Sequence, residues 1–273
     1  MTLFDKIELR SREEVYDAIL HTYQKKWYCS ISFLYFANLM KGMLLEWTPK
    51  LRQKNYLEAL LNADFLLADG IALQLFWRWS RIGRRMKRTP PNLNGTDFIP
   101  RFFQKLLPTT HTIHVSLLMF WDQNIWKSEE YINKAQQVFI EKYWRWFDYR
   151  WQTNYSNKNS LSFDRNAYEK TLSETDTHRI LFVCLWTPTQ EIRVHAHHDK
   201  IKQYQCLVFN AWGTIDYMTW LEQRAPWRVV KARVLETPRR IITHPKKNLK
   251  KFWAMFGIVR YWKHTIRKRF SKK

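Results

Sequence analysis

Asp69 stands where the sequence predicts that a buried strand ends and a helix begins. It follows the apolar run Phe65–Ala68, which suits a parallel strand buried on both faces, and Gly70 permits a tight turn before the helical apolar pattern of Ile71–Trp79. Ligands of α/β proteins lie at the carboxyl ends of parallel strands, so we expect the carboxylate of Asp69 to face a ligand. The alternative is a structural role, in which Asp69 caps the helix that follows.

Other polar residues stand at predicted helix starts. Asn94, Gly95 and Asp97 open the helix predicted over 96–107, and Gln190 opens another helix after a predicted strand. The amide of Gln190 could therefore hold a ligand, with an ordinary exposed amide as the alternative.

The elements that must position these residues alternate along the chain. The patterns predict strands over 27–36, 65–68, 112–120, 147–149, 179–185 and 205–209, helices over 11–26, 52–61, 71–79, 96–107, 128–143 and 188–201, and a loop over 153–162. Ser11 and Glu14 form a capping box at the start of the first helix. This alternation predicts an α/β fold with a Rossmann-like, mainly parallel sheet and helices on both faces.

Positive charge is concentrated at the end of the chain. Residues 226–273 contain sixteen Lys or Arg and one acid, Glu236, so they carry +15 of the formal net charge of +22. Between Lys246 and Phe270 basic residues alternate with aromatic and aliphatic ones, as in a helix that lies in a membrane interface. We expect a Rossmann-like domain over 1–225 and a basic, helical, amphipathic appendage over 226–273 that contacts an anionic membrane.

Two alternatives to the membrane interpretation stay open. The tail could be a helix packed on its own domain with solvated charges. The second alternative is a different class of protein, a non-catalytic α/β module that binds nucleic acid through the basic and aromatic tail.

Composition limits the class of protein. A chain of 273 residues with 45% hydrophobic content can bury a core. Cys29, Cys184 and Cys206 are too few and too scattered for a disulfide framework, which favours a reducing cytoplasm. No signal peptide and no run of roughly 20 apolar residues is visible, so we expect a protein that is cytoplasmic and peripheral on the inner face of the plasma membrane.

Five motifs in a fixed order resemble the TagA/WecG/CpsF glycosyltransferases, glycosyltransferase family 26, which includes N-acetylmannosaminyltransferases. The family carries A-D-x-x-x-x-D-G-x-G, G-S/T-D, S-P-x-Q-E, G-G-x-x-D, and R-A-P followed by E-W-x-x-R-x4-P. The matching segments of this chain are 63–72, 95–97, 187–191, 212–216 and 224–245. A lone D-G pair would mean little, but five motifs in order make the resemblance specific.

The resemblance implies an inverting transfer of a sugar, N-acetylmannosamine-like or glucose, from a UDP-sugar to a polyprenyl-diphosphate-linked sugar such as one on undecaprenyl diphosphate. The product would serve cell-envelope polysaccharide or teichoic-acid synthesis, and no nucleic-acid partner is expected. Asp69 matches the family's general base, which takes the proton of the attacking hydroxyl. Substrate-binding residues are expected at Asn38, Gly70, Asn94, Gly95, Asp97, Gln190, Gly213 and Asp216, and contacts to the diphosphate at Arg224, Arg239 and Arg240.

Neither a metal nor another cofactor is expected. The sequence has no D-x-D motif, the nearest match being Glu174-x-Asp176, so arginines and helix N-termini would stabilise the leaving diphosphate. His195, His197 and His198 are close in sequence, but we expect them on a partly exposed helix face rather than around zinc.

Several departures from the family fall on glycines. Ala72 replaces the second glycine of D-G-x-G, and Asn92 replaces a common arginine. Tryptophan stands where the family usually has glycine at Trp121, Trp186, Trp212 and Trp220, and the chain holds 15 Trp but only 6 Gly. We hypothesise that some of these are UGA codons that the native host reads as glycine. A diverged enzyme or a pseudoenzyme with true tryptophans is the alternative.

Overall fold

The computed structural model describes residues 3–36, 38–39, 51–79, 88–106, 112–120, 137, 148–156, 177–183, 185 and 187–211. Its helices are α1 (Leu3–Lys6), α2 (Arg12–Lys26), α3 (Leu51–Asn62), α4 (Ile71–Trp79), α5 (Gly95–Leu106), α6 (Thr189–Ala196) and α7 (His198–Lys202). Its strands are β1 (Cys29–Tyr35), β2 (Phe65–Asp69), β3 (Thr112–Phe120), β4 (Asp148–Ser156), β5 (Thr177–Val183) and β6 (Leu207–Asn210). The basic appendage predicted over 226–273 and the boundary at 225 lie outside these residues.

The described strands form one sheet of six strands in the order β2-β1-β6-β5-β3-β4. Every neighbouring pair is parallel, so the prediction of a mainly parallel sheet is confirmed. The first strand, β1, lies between β2 and the last described strand, β6. Its register aligns Tyr35 with Asp69 of β2 and Ser32 with Asn210 of β6. The carboxyl ends of these three strands therefore meet at one edge of the sheet.

Helices cover both faces of this sheet, as predicted. On one face Phe65 and Leu67 belong to a buried cluster with side chains of α2 and α5. On the other face Leu66 and Ala68 pack with α1, α3 and α4. Because both faces are buried, the strands are apolar at successive positions, and each fully buried Leu or Phe side chain contributes about 1.5–3 kcal/mol.

Helix α2 begins at the predicted capping box. The Ser11 hydroxyl accepts from the backbone N–H of Glu14 at 3.4 Å, and the Glu14 carboxylate accepts from the backbone N–H of Ser11 at 2.7 Å. The helix ends at Trp27, which adopts a left-handed backbone with φ of 53° and donates its N–H to the Tyr23 carbonyl. The sequence predicts that β1 begins at residue 27. Because Trp27 ends a helix, the strand begins at Cys29 instead.

Two other predictions of secondary structure are corrected. The brief strand predicted over 147–149 is the nine-residue strand β4, and residues 153–156, predicted as loop, belong to it. They pair with the last four residues of β3, and these ladder hydrogen bonds outweigh the turn preference of Asn and Ser. The helix predicted over 188–201 is divided into α6 and α7 at His197, where φ is −115°. Of the helix predicted over 128–143, only Gln137 lies within the described residues, and it is helical.

The edge strand β2 is covered along part of its length. Ile7 forms a parallel bridge with Leu66, and the Glu8 N–H donates to the Leu66 carbonyl at 2.9 Å. This pairing satisfies backbone groups that an edge strand would otherwise expose. In the described ranges no helix combines the length and the apolar character that crossing a bilayer requires.

Asp64, the first acid of the segment 63–72, ties β2 to β1 at the end of the sheet opposite Asp69. Its carboxylate accepts from the backbone N–H of Ser30 at 2.9 Å and from the Ser30 hydroxyl at 3.0 Å, while its own N–H donates to that hydroxyl. Its other oxygen accepts from Lys26 at 3.1 Å, and the lysine side chain is 54% exposed. Asp64 is therefore a structural link between strands.

Replacement of Asp64 by alanine should lower the free energy of unfolding by about 2–3 kcal/mol, because the buried N–H and hydroxyl of Ser30 lose their acceptor. The matched change Lys26→Ala should cost less than about 1 kcal/mol, because it removes only an exposed ion pair. Urea unfolding at pH 7 measures both. Equal losses would show that the ion pair, and not the link to Ser30, carries the effect.

Candidate functional site

Asp69 is the last residue of β2, so its predicted place at the carboxyl end of a strand is confirmed. The next residue, Gly70, has φ of +86°, a conformation that an L side chain rarely adopts. Its N–H donates to the side-chain oxygen of Asn92 at 2.8 Å. Asn92 therefore holds the turn that follows Asp69.

The segment 88–94 lies across the carboxyl end of β2. Trp77 of α4 is fully buried, and its indole helps to hold this segment. Three hydrogen bonds of 2.8 Å fix it: Leu93 N to the Ala68 carbonyl, Gln74 Nε2 to the Pro90 carbonyl, and Trp77 Nε1 to the Arg88 carbonyl. The segment thereby brings Asn92 and Asn94 to the same edge as Asp69.

Asn94 and Asp97 make reciprocal contacts at the start of α5. The side-chain oxygen of Asn94 accepts from the backbone N–H of Asp97, and its amide donates to the Asp97 carboxylate, both at 2.9 Å. This is the geometry of an N-cap, with an acid in the first turn where the helix dipole favours it. Gly95, the first helical residue, is buried. The structure thus gives these residues a role in starting α5, and their predicted contact with substrate stays a prediction.

A buried polar cluster lies beyond the carboxyl end of β1. Asn38 is buried beside the phenols of Tyr35 and Tyr56. Burial, together with the charges of Asp69 and Glu191, raises the pKa of Tyr35 to about 12, while the Asn38 side chain opposes the rise. Burial also raises the pKa of Tyr56 well above 10, again with Glu191 adding to it. Both phenols therefore stay protonated at neutral pH, and Tyr35 links this cluster to Asp69, its register partner.

Gln190 and Glu191 reach the cluster from the first turn of α6. The Gln190 amide donates to the Glu191 carboxyl at 2.9 Å and to the Thr187 hydroxyl at 3.2 Å. The Thr187 hydroxyl in turn donates to the same Glu191 oxygen at 3.3 Å. Burial raises the pKa of Glu191 to about 7, against the opposing effect of these hydrogen bonds and of its own backbone N–H. Gln190 is 3% exposed and Glu191 1% exposed, so neither is the exposed amide or acid of a surface helix.

Three polar atoms of this cluster have no hydrogen-bond partner among the described residues. They are Asn38 Nδ2, the Tyr56 hydroxyl and Glu191 Oε2, all buried. Asn38 lies near enough to lower the pKa of Tyr56, but the two side chains do not reach hydrogen-bond geometry. Buried polar atoms without partners are costly, and they are found where a ligand or water completes a site.

The structure brings most of the described candidates to one edge of the sheet. Asp69, Gly70 and Asn94 are joined through the segment 88–94, and Asn38 and Gln190 through the buried cluster. The candidates Gly213, Asp216, Arg224, Arg239 and Arg240, like the four tryptophans at glycine positions, lie outside the described residues.

Four polar residues at this edge escaped the sequence analysis. Glu191 follows Gln190 in the same motif and could have been found from it. Asn210 ends β6, and its amide donates to the Ser32 hydroxyl at 2.9 Å. No sequence pattern indicated a role for Tyr35 or Tyr56 in a site, because a tyrosine at the end of a strand or on a helix is usually a packing residue.

The three neighbouring histidines do not share a ligand. Nε2 of His195 lies 3.6 Å from a carboxylate oxygen of Glu58, and Nδ1 of His198 lies 3.1 Å from a carboxylate oxygen of Asp199. All three histidines are partly exposed, as expected. In the part of the chain that the structure describes, no three His, Cys, Asp or Glu side chains are grouped closely enough to hold a metal ion.

Comparison with known proteins gives one family. The model of a family described as glycosyl transferase WecG/TagA/CpsF matches residues 5–273. No curated protein matches the chain.

Proposed function

The chain belongs to the WecG/TagA/CpsF family of glycosyl transferases, and from this premise we propose that it moves a sugar from a UDP-sugar to a polyprenyl-diphosphate-linked sugar with inversion at the anomeric carbon. The donor sugar would be N-acetylmannosamine-like or glucose, and the product would enter cell-envelope polysaccharide or teichoic-acid synthesis. Glycosyl transfer itself follows from the family. The donor, the acceptor and the pathway are the proposed part.

The position of Asp69 is the observation that carries the proposal. A single displacement needs one base, which removes the proton of the acceptor hydroxyl as its oxygen attacks the anomeric carbon and the bond to UDP breaks. Asp69 is partly exposed at the carboxyl end of β2, on a turn fixed by Gly70 and Asn92. A carboxylate held this way can meet a hydroxyl that approaches the edge of the sheet.

The strand order supports a donor site at the same edge. The chain passes from β1 outward to β2, crosses to β3 on the far side of β1, and returns to pair with β1 only at β6. Such a change of direction opens a crevice at the carboxyl ends of the strands, where nucleotides bind in doubly wound folds. Asn38 after β1 and Gln190 after β5 both lie there, so we propose that they contact the sugar nucleotide.

The leaving diphosphate needs positive charge, and we propose that Arg224, Arg239 and Arg240 supply it without a metal. The absence of a D-x-D motif and the basic composition of this part of the sequence support the proposal. Gly213 and Asp216 would line the same pocket.

For the catalytic test, Asp69→Asn should reduce transfer by roughly 10²–10⁴-fold, because the amide cannot take the proton, while the affinity for UDP stays near that of the wild type. Release of UDP in the presence of a prenyl-diphosphate-linked acceptor measures turnover, and calorimetric titration measures UDP affinity. Asp17→Asn, the same chemical change on the exposed surface of α2, is the matched control and should leave both unchanged. Wild-type turnover in the Asp69 variant would contradict the assignment of the base.

We also propose that residues 226–273 hold the enzyme on the inner face of the plasma membrane, since their charge and their aromatic residues suit an anionic interface.

Deletion of residues 246–273 should abolish sedimentation with vesicles that contain anionic lipid and leave hydrolysis of the donor sugar measurable. Salt-sensitive binding of oligonucleotides by the full chain, with no release of UDP, would instead support the nucleic-acid module.

A further inference from the structure

Glu191 is a buried acid that the proposed reaction does not use. It is 1% exposed, and the helix that carries it, α6, packs against α3. One carboxyl oxygen holds the Gln190 amide at 2.9 Å, and the other is buried without a partner in the described part of the chain. A carboxyl group in such a place costs free energy, so packing alone does not account for it.

We propose that Glu191 is a positioning residue, which orients the amide of Gln190 toward the edge of the sheet where Asp69 lies. The proposal rests on the proposed function, because Gln190 must contact the sugar nucleotide for its orientation to matter. Its basis is the closed triangle of Gln190, Thr187 and Glu191, with sides of 2.9, 3.2 and 3.3 Å. Since the amide N–H groups point at Thr187 and Glu191, the orientation of the amide depends on the acid.

The surroundings of Glu191 decide in which form it works. Among the described residues, the charge of Glu191 acts on Tyr56 of α3 and on Tyr35 of β1, and the charge of Asp69 also acts on Tyr35. Both phenols stay neutral at neutral pH, so Glu191 is the group of this cluster that changes charge. Its pKa, raised by burial to about 7, means that the neutral acid is the main form below that pH.

This raised pKa has a defined effect on stability. An unfolded glutamic acid loses its proton near pH 4.5, whereas folded Glu191 keeps it until about pH 7. Between these values the folded state binds a proton that the unfolded state does not, so Glu191 makes the protein less stable as the pH rises through this window. Glutamine at this position stays neutral, so Glu191→Gln should remove that part of the pH dependence.

The experiment compares Glu191→Gln and Glu191→Asp in the full chain. Glutamine keeps the length and an acceptor oxygen for Gln190, so we expect turnover near that of the wild type at pH 6. The free energy of unfolding of this variant should fall less than that of the wild type between pH 4.5 and pH 7. Aspartate is one methylene shorter and cannot reach the amide, so we expect kcat to fall at least tenfold with little change in UDP affinity. Gln190→Ala should show the same loss, and the double variant Gln190→Ala, Glu191→Asp should lose no more than either alone.

Wild-type kcat in the Glu191→Asp variant, or losses that multiply in the double variant, would overturn the proposal. A readout without substrate separates its failure from failure of the proposed function. The side-chain amide signal of Gln190 in a ¹⁵N nuclear magnetic resonance spectrum should shift with pH near 7 in the wild type and stay constant in Glu191→Gln. If that signal shifts while no UDP-sugar is consumed, the positioning contact stands and the proposed reaction fails.

A different observation carries a second inference, about Trp27. This residue ends α2 with φ of 53°, the left-handed conformation in which helices commonly end on glycine, and its side chain is 44% exposed. Trp77, in contrast, is fully buried, packs on Phe4 with ring centroids 5.7 Å apart, and donates to the Arg88 carbonyl. The fold therefore needs an indole at position 77 and favours glycine at position 27.

We infer that position 27 is one of the UGA codons that the native host reads as glycine. The gene should have UGA at codon 27 and UGG at codon 77, and the corresponding peptide from the native host should have the mass of the glycine form. UGG at codon 27 would overturn the inference. As a physical check, Trp27→Gly should raise the melting temperature by roughly 2–4 °C, whereas Trp77→Gly should lower it strongly.

Discussion

The parallel pairing of β1 with its two neighbours is the constraint on which the site depends. Parallel strands all end at the same edge, so the register that aligns Tyr35 with Asp69 also decides which side chains can meet there. β1 is also buried along nearly its whole length, because helices pack on each side of a parallel sheet. At the opposite end of the strands Asp64 holds the same register through its hydrogen bonds to Ser30.

The carboxyl edge of the sheet contains two kinds of polar structure. Around Asp69 the polar groups are paired locally, since Gly70 bonds to Asn92 and Asn94 bonds to Asp97. Such pairing gives a base a fixed direction before a substrate arrives, which is a condition for efficient proton transfer. Between β1 and α6 the pairing is incomplete, and buried oxygen and nitrogen atoms lack partners among the described residues. The polar groups of the first region are thus paired within the protein, whereas those of the second keep hydrogen-bonding capacity for a ligand.

Burial gives these groups their chemical character. The phenols of Tyr35 and Tyr56 are held neutral, and the pKa of Glu191 is raised, because charge is poorly solvated there. Asp69 is partly exposed and keeps contact with solvent, which suits the role of base that we propose for it. Two carboxyl groups at one edge of the sheet thus lie at different depths below the surface.

Local patterns in the sequence predicted the class of fold, the family and the position of Asp69, the base that we propose. Apolar runs such as 65–68 and the alternation with amphipathic helices depend on local periodicity, and Asp69-Gly70 is a local strand-to-turn signal, so a reading of neighbouring residues finds them. It also found the capping box of Ser11 and Glu14, which lies within four residues of chain.

The other features depend on the packed chain, because the residues that meet are distant in sequence. The order of the strands, the extension of β4 along β3, the bond from Asn92 to Gly70 and the meeting of Tyr35, Tyr56 and Glu191 all join residues that no local pattern relates. Asn92 in particular stands in the sequence where the family commonly has an arginine, and in the fold its side-chain oxygen is the acceptor that holds the turn after Asp69. Depth of burial is likewise a property of the packed chain, so a glutamate that follows Gln190 becomes an acid of raised pKa only when α6 is packed against α3.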